Sequence, residues 1–293
     1  MENILGKIIS GNVTDENEQN YYVQINGITF MLNKNEIKKP MKLGSHFTGF
    51  AYQNENKKYQ ITRNIPKVLF DHYAFGNVVQ SKYDFGVFVN IGLPDKDIAV
   101  SMDDLPQKYS LWPKAGDHLM IALENDHKGR IWGKLADRDI FHAISLPANR
   151  HSMNKNVRAT VIELKLGGTI VMTDQYHLGF IHPSEVENPL RMGEVVNGRV
   201  IGVHQNGSLN LSTKPRAYEA IDNDAEMVLA VLQHANHHQI PYTDKSKPED
   251  IRTFFGISKA QFKRAVGHLL KQRLITESKS GIQLTDLGIN KKI

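Results

Sequence analysis

The chain has no cysteine among its 293 residues. That excludes a disulfide-stapled fold, a thiolate zinc centre, an iron–sulfur cluster and a cysteine nucleophile. It also lacks any run of the ~18 apolar residues that a membrane span requires. The opening Met1-Glu2-Asn3-Ile4-Leu5-Gly6-Lys7 has neither the basic end nor the apolar stretch of a signal peptide. The expectation is a cytoplasmic protein with no membrane partner. Strong charge of one sign is missing too: 36 basic residues against 31 acidic leave +5. No part of the chain is a basic funnel, so any nucleic acid must be held by local faces, through stacking as well as charge. The phosphate loop Gly-x-x-x-x-Gly-Lys-Ser/Thr, the Gly-x-Ser-x-Gly elbow and His-Glu-x-x-His are all absent. No catalytic residue, cofactor or metal is assigned, and the protein reads as a non-enzyme.

What the chain does contain is an internal repeat. Three stretches open on short β-type runs, Gly6 to Ile9, Gly76 to Val79 and Arg158 to Val161. Each has a second run, Tyr21 to Ile25, Val87 to Ile91 and Thr169 to Met172. An apolar residue and a glycine then precede another strand: Leu43-Gly44, Ala115-Gly116 and Met192-Gly193, at intervals of about 75 residues. Last strands follow at Lys58 to Arg63, Arg130 to Leu135 and Ser208 to Lys214. Units of this size, with several short strands and little helix, read as small β-barrels.

The third copy carries Leu178-Gly179-Phe180-Ile181-His182-Pro183-Ser184-Glu185, Gly193-Glu194-Val195-Val196 and Leu209-Asn210-Leu211-Ser212. The second supplies Phe85-Gly86-Val87-Phe88-Val89. Together these resemble the S1 RNA-binding domain, an OB-fold barrel. No single copy holds the whole pattern.

After Arg216 the character changes. Ile221, Val228, Leu229 and Leu232 recur at helical spacing between Ala217 and Asn236. Pro248 starts a second helix that ends at Phe255, and Gly256 makes a turn. Ser258 caps a third helix, with Gln261 completing a capping box. A hairpin of Leu274 to Thr276 and Ile282 to Leu284 follows. This is the winged-helix order. The expected fold class is therefore multidomain and mainly β. It comprises three S1-like OB-fold β-barrels (1–63, 64–150 and 151–216) and an α+β winged-helix domain (217–293). Residues 64–70 and 136–157 read as linkers. The domain order resembles the conserved virulence factor B family of bacterial RNA-binding proteins.

Strand alternation selects candidate RNA-binding residues. In the second copy Val87, Val89 and Ile91 turn inward, so Phe88 and Asn90 face out; Arg130 and Trp132 face out on the last strand. Phe85 joins Phe88 to make a stacking platform, and Arg130 serves phosphate. These positions match the S1 family's RNA face. Ser101 stands at the family's His position, a departure, and Asp126 at its loop acid. The competing reading makes the phenylalanines ordinary core or strand formers, and Trp132 a packing residue against a neighbouring domain. Tyr83 and Trp112 read as packing residues. In the first copy Tyr22 and Lys58 occupy the matching places, with Asn33 at the His position, and a plain scaffold barrel is as good a reading. The third copy keeps His182. However, Gly167 and Ile170 replace the Phe pair and Ser208 replaces the arginine, so its platform is missing. For His182 alone, a turn hydrogen bond is the better reading.

In the winged helix, Lys259, Lys263, Arg264 and Lys271 decorate the third helix, with Arg273 after it and Lys279 at the wing tip. They could track phosphates, or form a solvated face. The helix offers little for reading bases. His234, His237 and His238 make a weak metal cluster at a helix end, where His is favoured by the dipole anyway. Asp95, Asp97, Asp103 and Asp104 read as a solvated loop. The partner expected is single-stranded RNA, held by weak sites in tandem. Resemblance to the family implies post-transcriptional regulation, including virulence gene expression. Two alternatives remain open: a duplex-DNA-binding transcription regulator acting through the winged helix, and a protein-interaction scaffold, for instance on the ribosome.

Overall fold

The computed structural model describes residues 4–126, 129–278 and 280–291, and only the backbone over 217–222. The Ile221 side chain and Lys279 lie outside the described residues. The chain divides into two compact units, Met1–Thr213 and Lys214–Ile293.

The first unit begins with β1 (Ile8–Glu16), β2 (Asn20–Ile25), β3 (Ile28–Asn33), β4 (His46–Gln53) and β5 (Tyr59–Thr62). They close a barrel in the order β1-β2-β3-β5-β4. Alternation drives it: Tyr21, Val23, Ile25, Phe30 and Leu32 are buried while their neighbours are not. The second copy has β6 (Ala74–Lys82), β7 (Gly86–Asn90), β8 (Asp97–Ser101), β9 (His118–Asn125) and β10 (Ile131–Leu135). Its strand order is the same, but it is opened between β8 and β10. Side chains fill that seam: a Cβ on Gly133 would lie 3.0 Å from Val100 and 3.2 Å from Ile98. After helix α1 (Arg138–Ile144) come β11 (Asn156–Lys165), β12 (Gly168–Thr173), β13 (Leu178–Ile181), β14 (Val195–Val203) and β15 (Leu209–Ser212). These again close a barrel, with β13 and β15 paired in parallel.

One device recurs in all three copies. The first strand carries a bulge after a valine: Val13, Val78 and Val161. The valine carbonyl accepts the N–H of Gly44, Gly116 and Gly193 at 2.7, 2.9 and 2.9 Å respectively. Each of these glycines has positive φ (+85°, +92° and +77°), a conformation that a side chain would strain. The repeated glycine thus marks the turn that locks the fourth strand of each copy onto the first.

The stretches expected to be linkers are packed instead. Val68 is buried in the core of the second copy, Leu69 and Phe70 pack against it, and the Leu123 N–H donates to the Leu69 carbonyl. Phe141 on α1 is buried with Met120 and Met172, joining the second copy to the third. The Ala148 N–H donates to the Gly207 carbonyl. Apolar side chains at these spacings are too many to leave in water, so the segments became mortar.

Polar bonds fix the same junctions. Tyr52 donates to Asp95 Oδ1 at 2.7 Å, and Asn54 donates to Oδ2 at 3.2 Å. Asp95 is therefore a docking acceptor between the first two copies, not part of a solvated loop. Burial, with the Asp95 carboxylate second, pushes the Tyr52 phenol far up. Between the second and third copies, Arg191 donates twice to Asp117, at 2.7 and 2.8 Å. Asp117 is only 4% exposed. The hydrogen bonds to Asp117 hold the Arg191 guanidinium above its usual range. The His118 N–H donates to the Gly193 carbonyl beside this pair.

The second unit holds α2 (Ala217–His234), β16 (Gln239–Ile240), α3 (Pro248–Phe255), α4 (Lys259–Lys271), β17 (Ile275–Ser278), β18 (Gly281–Leu284) and α5 (Asp286–Asn290). Strands order as β16-β18-β17, the sheet of a winged helix. Val228, Leu229 and Leu232 of α2 share one core with Phe262, Val266 and Leu269 of α4. Ser258 and Gln261 form the reciprocal capping box. Gly256 ends α3 in the left-handed region at φ 71°. Helix α2 stops at His234 rather than at Asn236. His234 Nδ1 lies 2.8 Å from the Ala230 carbonyl, and His237 takes a left-handed turn. Among the described residues, no helix is long and apolar enough to cross a membrane.

Two stability predictions follow from these contacts. Arg191→Ala leaves Asp117 buried without its counter-charge and should cost the first unit roughly 3 kcal/mol; chemical denaturation and faster proteolysis in 136–157 would report it. Ser258→Ala should cost the second unit about 1 kcal/mol, read from its unfolding midpoint.

Candidate nucleic-acid interface

The outward residues of the second barrel converge as three near-parallel rings. Phe85 and Phe88 lie 5.3 Å apart between centroids with 5° between their planes. Phe85 and Trp132 lie 5.4 Å apart at 23°. Phe85 is the central ring and is 43% exposed, too open for a core residue. Trp132, which could have packed on a neighbouring domain, stacks on Phe85 instead. Gly86 makes the approach possible: at φ +137° a Cβ there would meet the Val100 carbonyl oxygen at 2.0 Å. Only glycine lets the hairpin press onto β8 and set Phe85 beside Phe88.

Two cations flank the rings. Lys82 Nζ sits 5.0 Å from the Phe88 centroid, and the Arg130 guanidinium 5.8 Å from that of Trp132. Arg130 is held by the turn that presents it. Its Nε donates to Asp126 Oδ2 at 2.6 Å, and its backbone N–H to Oδ1 at 2.8 Å. Asp126 thus orients the arginine across the tryptophan. Lys82 was missed in the sequence, although its pairing opposite Gly86 follows from the hairpin register.

The same row of positions crosses all three barrels, with different chemistry. In the second it runs from Phe88 to Ala99, with Trp132 beyond the seam. Ala99 is small, which leaves the large rings on either side standing clear. In the first barrel the row is Tyr22, Met31, Gln60. Tyr22 is half-buried, and its hydroxyl accepts from Asn17 at 2.9 Å. Lys58 is exposed just before β5, with Met31 and Gln60 between it and Tyr22. In the third barrel the row is Ile170, Phe180, Asn210. Phe180 was missed in the sequence; it places an aromatic on β13 rather than β12, with its ring over Gly168. This face is not open. With Ser208, it lines a groove of about 1000 Å³ whose other wall includes Arg138, His142 and Leu146. Arg138 pairs with Glu163 there at 2.6 Å.

The expected His position has one local job in every copy. Asn33, Ser101 and His182 each cap a 3-10 turn by accepting the N–H two residues on. His182 Nδ1 also lies 2.7 Å from the Ser184 hydroxyl. Ser101 is therefore one cap in place of another.

Tyr83 is not a buried packing residue. It is 66% exposed and stacks on buried Trp112 from outside. On α4, Lys263, Arg264 and Lys271 are exposed and Lys259 half-exposed. Lys263 pairs with Asp244 at 3.6 Å. Among the described residues, no three His, Cys, Asp or Glu side chains gather as for a metal.

Family models match four consecutive stretches. They are an S1 domain over residues 5–64, the CvfB first S1-like domain over 73–134, the virulence regulatory factor CvfB second domain over 141–215, and a CvfB-like winged helix domain over 226–284. The uncharacterized protein YitL of Bacillus subtilis is 36% identical, over 91% of this chain and 89% of its own. Conserved virulence factor B of Staphylococcus epidermidis is 34% identical, over 90% and 88%. A crystal structure of a multidomain protein with nucleic acid binding domains from Streptococcus pneumoniae is 42% identical. It aligns over 97% of this chain and 100% of that one, with a TM-score of 0.71. On this domain order, and on similarity sustained along nearly its whole length, the chain belongs to the conserved virulence factor B family.

Proposed function

We propose that the protein is a non-enzymatic, cytoplasmic RNA-binding regulator that holds single-stranded RNA on its second barrel. The observation that carries this reading is the ring array of Phe88, Phe85 and Trp132, with Phe85 exposed, the other two half-buried, and Lys82 and Arg130 flanking them. Rings already stacked on one another lose little freedom when a base joins them, so less binding energy is spent on ordering. Aromatic faces accept any base, and two cations at the rim suit a backbone that passes beside the rings. A duplex hides its base faces, so this geometry favours an unpaired strand.

The other sites are auxiliary in this reading. Tyr22 with Lys58, His182 beside Phe180, and Lys259, Lys263, Arg264 and Lys271 on α4 add weak contacts, which tethering on one chain multiplies. The relatives named for virulence, and the family model of a virulence regulatory factor, support a regulatory role; a single-strand RNA platform puts that role after transcription in this reading.

Fluorescence anisotropy with a labelled single-stranded RNA tests the platform. Phe85→Ala/Phe88→Ala should weaken binding tenfold or more, since stacking contributes about 1–3 kcal/mol per base. Equal binding by wild type and variant would sink the idea. Arg130→Ala should act differently. It should flatten the plot of log affinity against log salt by about 0.7, the value for one phosphate contact on a single strand. The ring variant should leave that slope unchanged.

A further inference from the structure

The second barrel carries another group of rings that the platform does not use. Tyr83 crosses Tyr109 edge-on at 5.2 Å and 84°, and lies near-parallel to Trp112 at 6.3 Å and 26°. Tyr109 meets Trp112 at 5.0 Å. Trp112 is buried and immobilised, its indole N–H donating to the Pro106 carbonyl at 2.6 Å. Core packing accounts for Trp112. It does not account for the tyrosines, which are 66% and 45% exposed while resting on it. Each keeps a large apolar ring in water that the barrel's core does not need.

Their position suggests what covers them. Tyr83 sits in the β6–β7 hairpin, two residues before Phe85. Two residues span at most about 7 Å of backbone. Tyr83 turns to Tyr109 and Trp112, whereas Phe85 turns to Phe88 and Trp132. One short hairpin therefore presents rings on both flanks. Asp84, exposed between them, disfavours phosphate at the tip itself, and exposed Lys108 precedes Tyr109 on the far side.

We propose that Tyr83 and Tyr109 form a second base-stacking site for the same single-stranded RNA. The strand leaves the platform, crosses the β6–β7 hairpin and stacks a later base on the tyrosine pair. This rests on the platform being a single-strand site and adds a length to it. An oligonucleotide long enough to cross the hairpin gains affinity that a short one cannot.

The full-length protein is titrated with labelled oligouridylates of about four and about ten nucleotides, within the span of one OB-type barrel. Tyr83→Ala/Tyr109→Ala should weaken the longer ligand roughly tenfold and leave the shorter unchanged. Tyr83→Phe/Tyr109→Phe keeps the ring faces and should restore most of the difference. The chain's two tryptophans fall one in each cluster, which gives a readout independent of these variants. In Trp132→Phe, at concentrations where anisotropy shows the oligonucleotide bound, the remaining Trp112 emission should respond to the longer oligonucleotide only. Unchanged long-ligand affinity in the alanine variant, or a silent Trp112, overturns the second site while leaving the platform intact. Failure of wild type to bind either oligonucleotide overturns both.

Discussion

A bulged valine and a left-handed glycine hold each barrel together. The extra residue after Val13, Val78 or Val161 bends the first strand, and the glycine N–H of a distant turn closes on the exposed carbonyl. The residue paired just past each bulge is Tyr22, Phe88 or Ile170. The irregularity that fixes the barrel thus also aims the residue at the centre of its outer face, a common use of bulges beside functional sites. A side chain at the glycine would strain the turn and release both.

On that shared frame the three faces have diverged. Small Ala99 between Phe88 and Trp132 leaves room for Phe85 to stack on both rings, whereas Met31 and Phe180 put bulk at the same place in the other copies. The first barrel spends its last hairpin on docking, since Asn54 corresponds to Asp126 yet binds Asp95 of the next barrel. The third has its face walled by α1. The second copy is the one whose row carries the stacked rings.

Docking also explains why repeats that could have been independent form one unit. A carboxylate at each junction receives two or more donors: Asp95 from Tyr52 and Asn54, Asp117 from Arg191. Asp117 is buried and Asp95 partly so; a buried charge is costly unless satisfied, so such a pair specifies one arrangement more than it adds stability. Apolar residues from the connecting segments, Val68 and Phe141 among them, supply the burial.

Much of this was legible in the primary structure because it depends on local rules. Glycine spacing exposed the repeat, strand alternation sent Val87 and Val89 inward and Phe88 outward, and the Ser258–Gln261 pair announced its helix. The Phe85, Phe88 and Arg130 grouping came from strand register together with the resemblance to the S1 domain. Tertiary structure decided what depends on partners distant in sequence. Asp95 looked like one more loop acid until Tyr52 and Asn54 reached it. Residues 64–70 and 136–157 looked like tethers because a single chain segment cannot reveal the surface that buries it. Trp132 had two credible destinations, and only the seam between β8 and β10 brought it to Phe85. Phe180 goes unassigned in the sequence and Tyr83 reads there as a packing residue, because alternation tells which side of a strand a residue faces, and cannot tell what stands on that side.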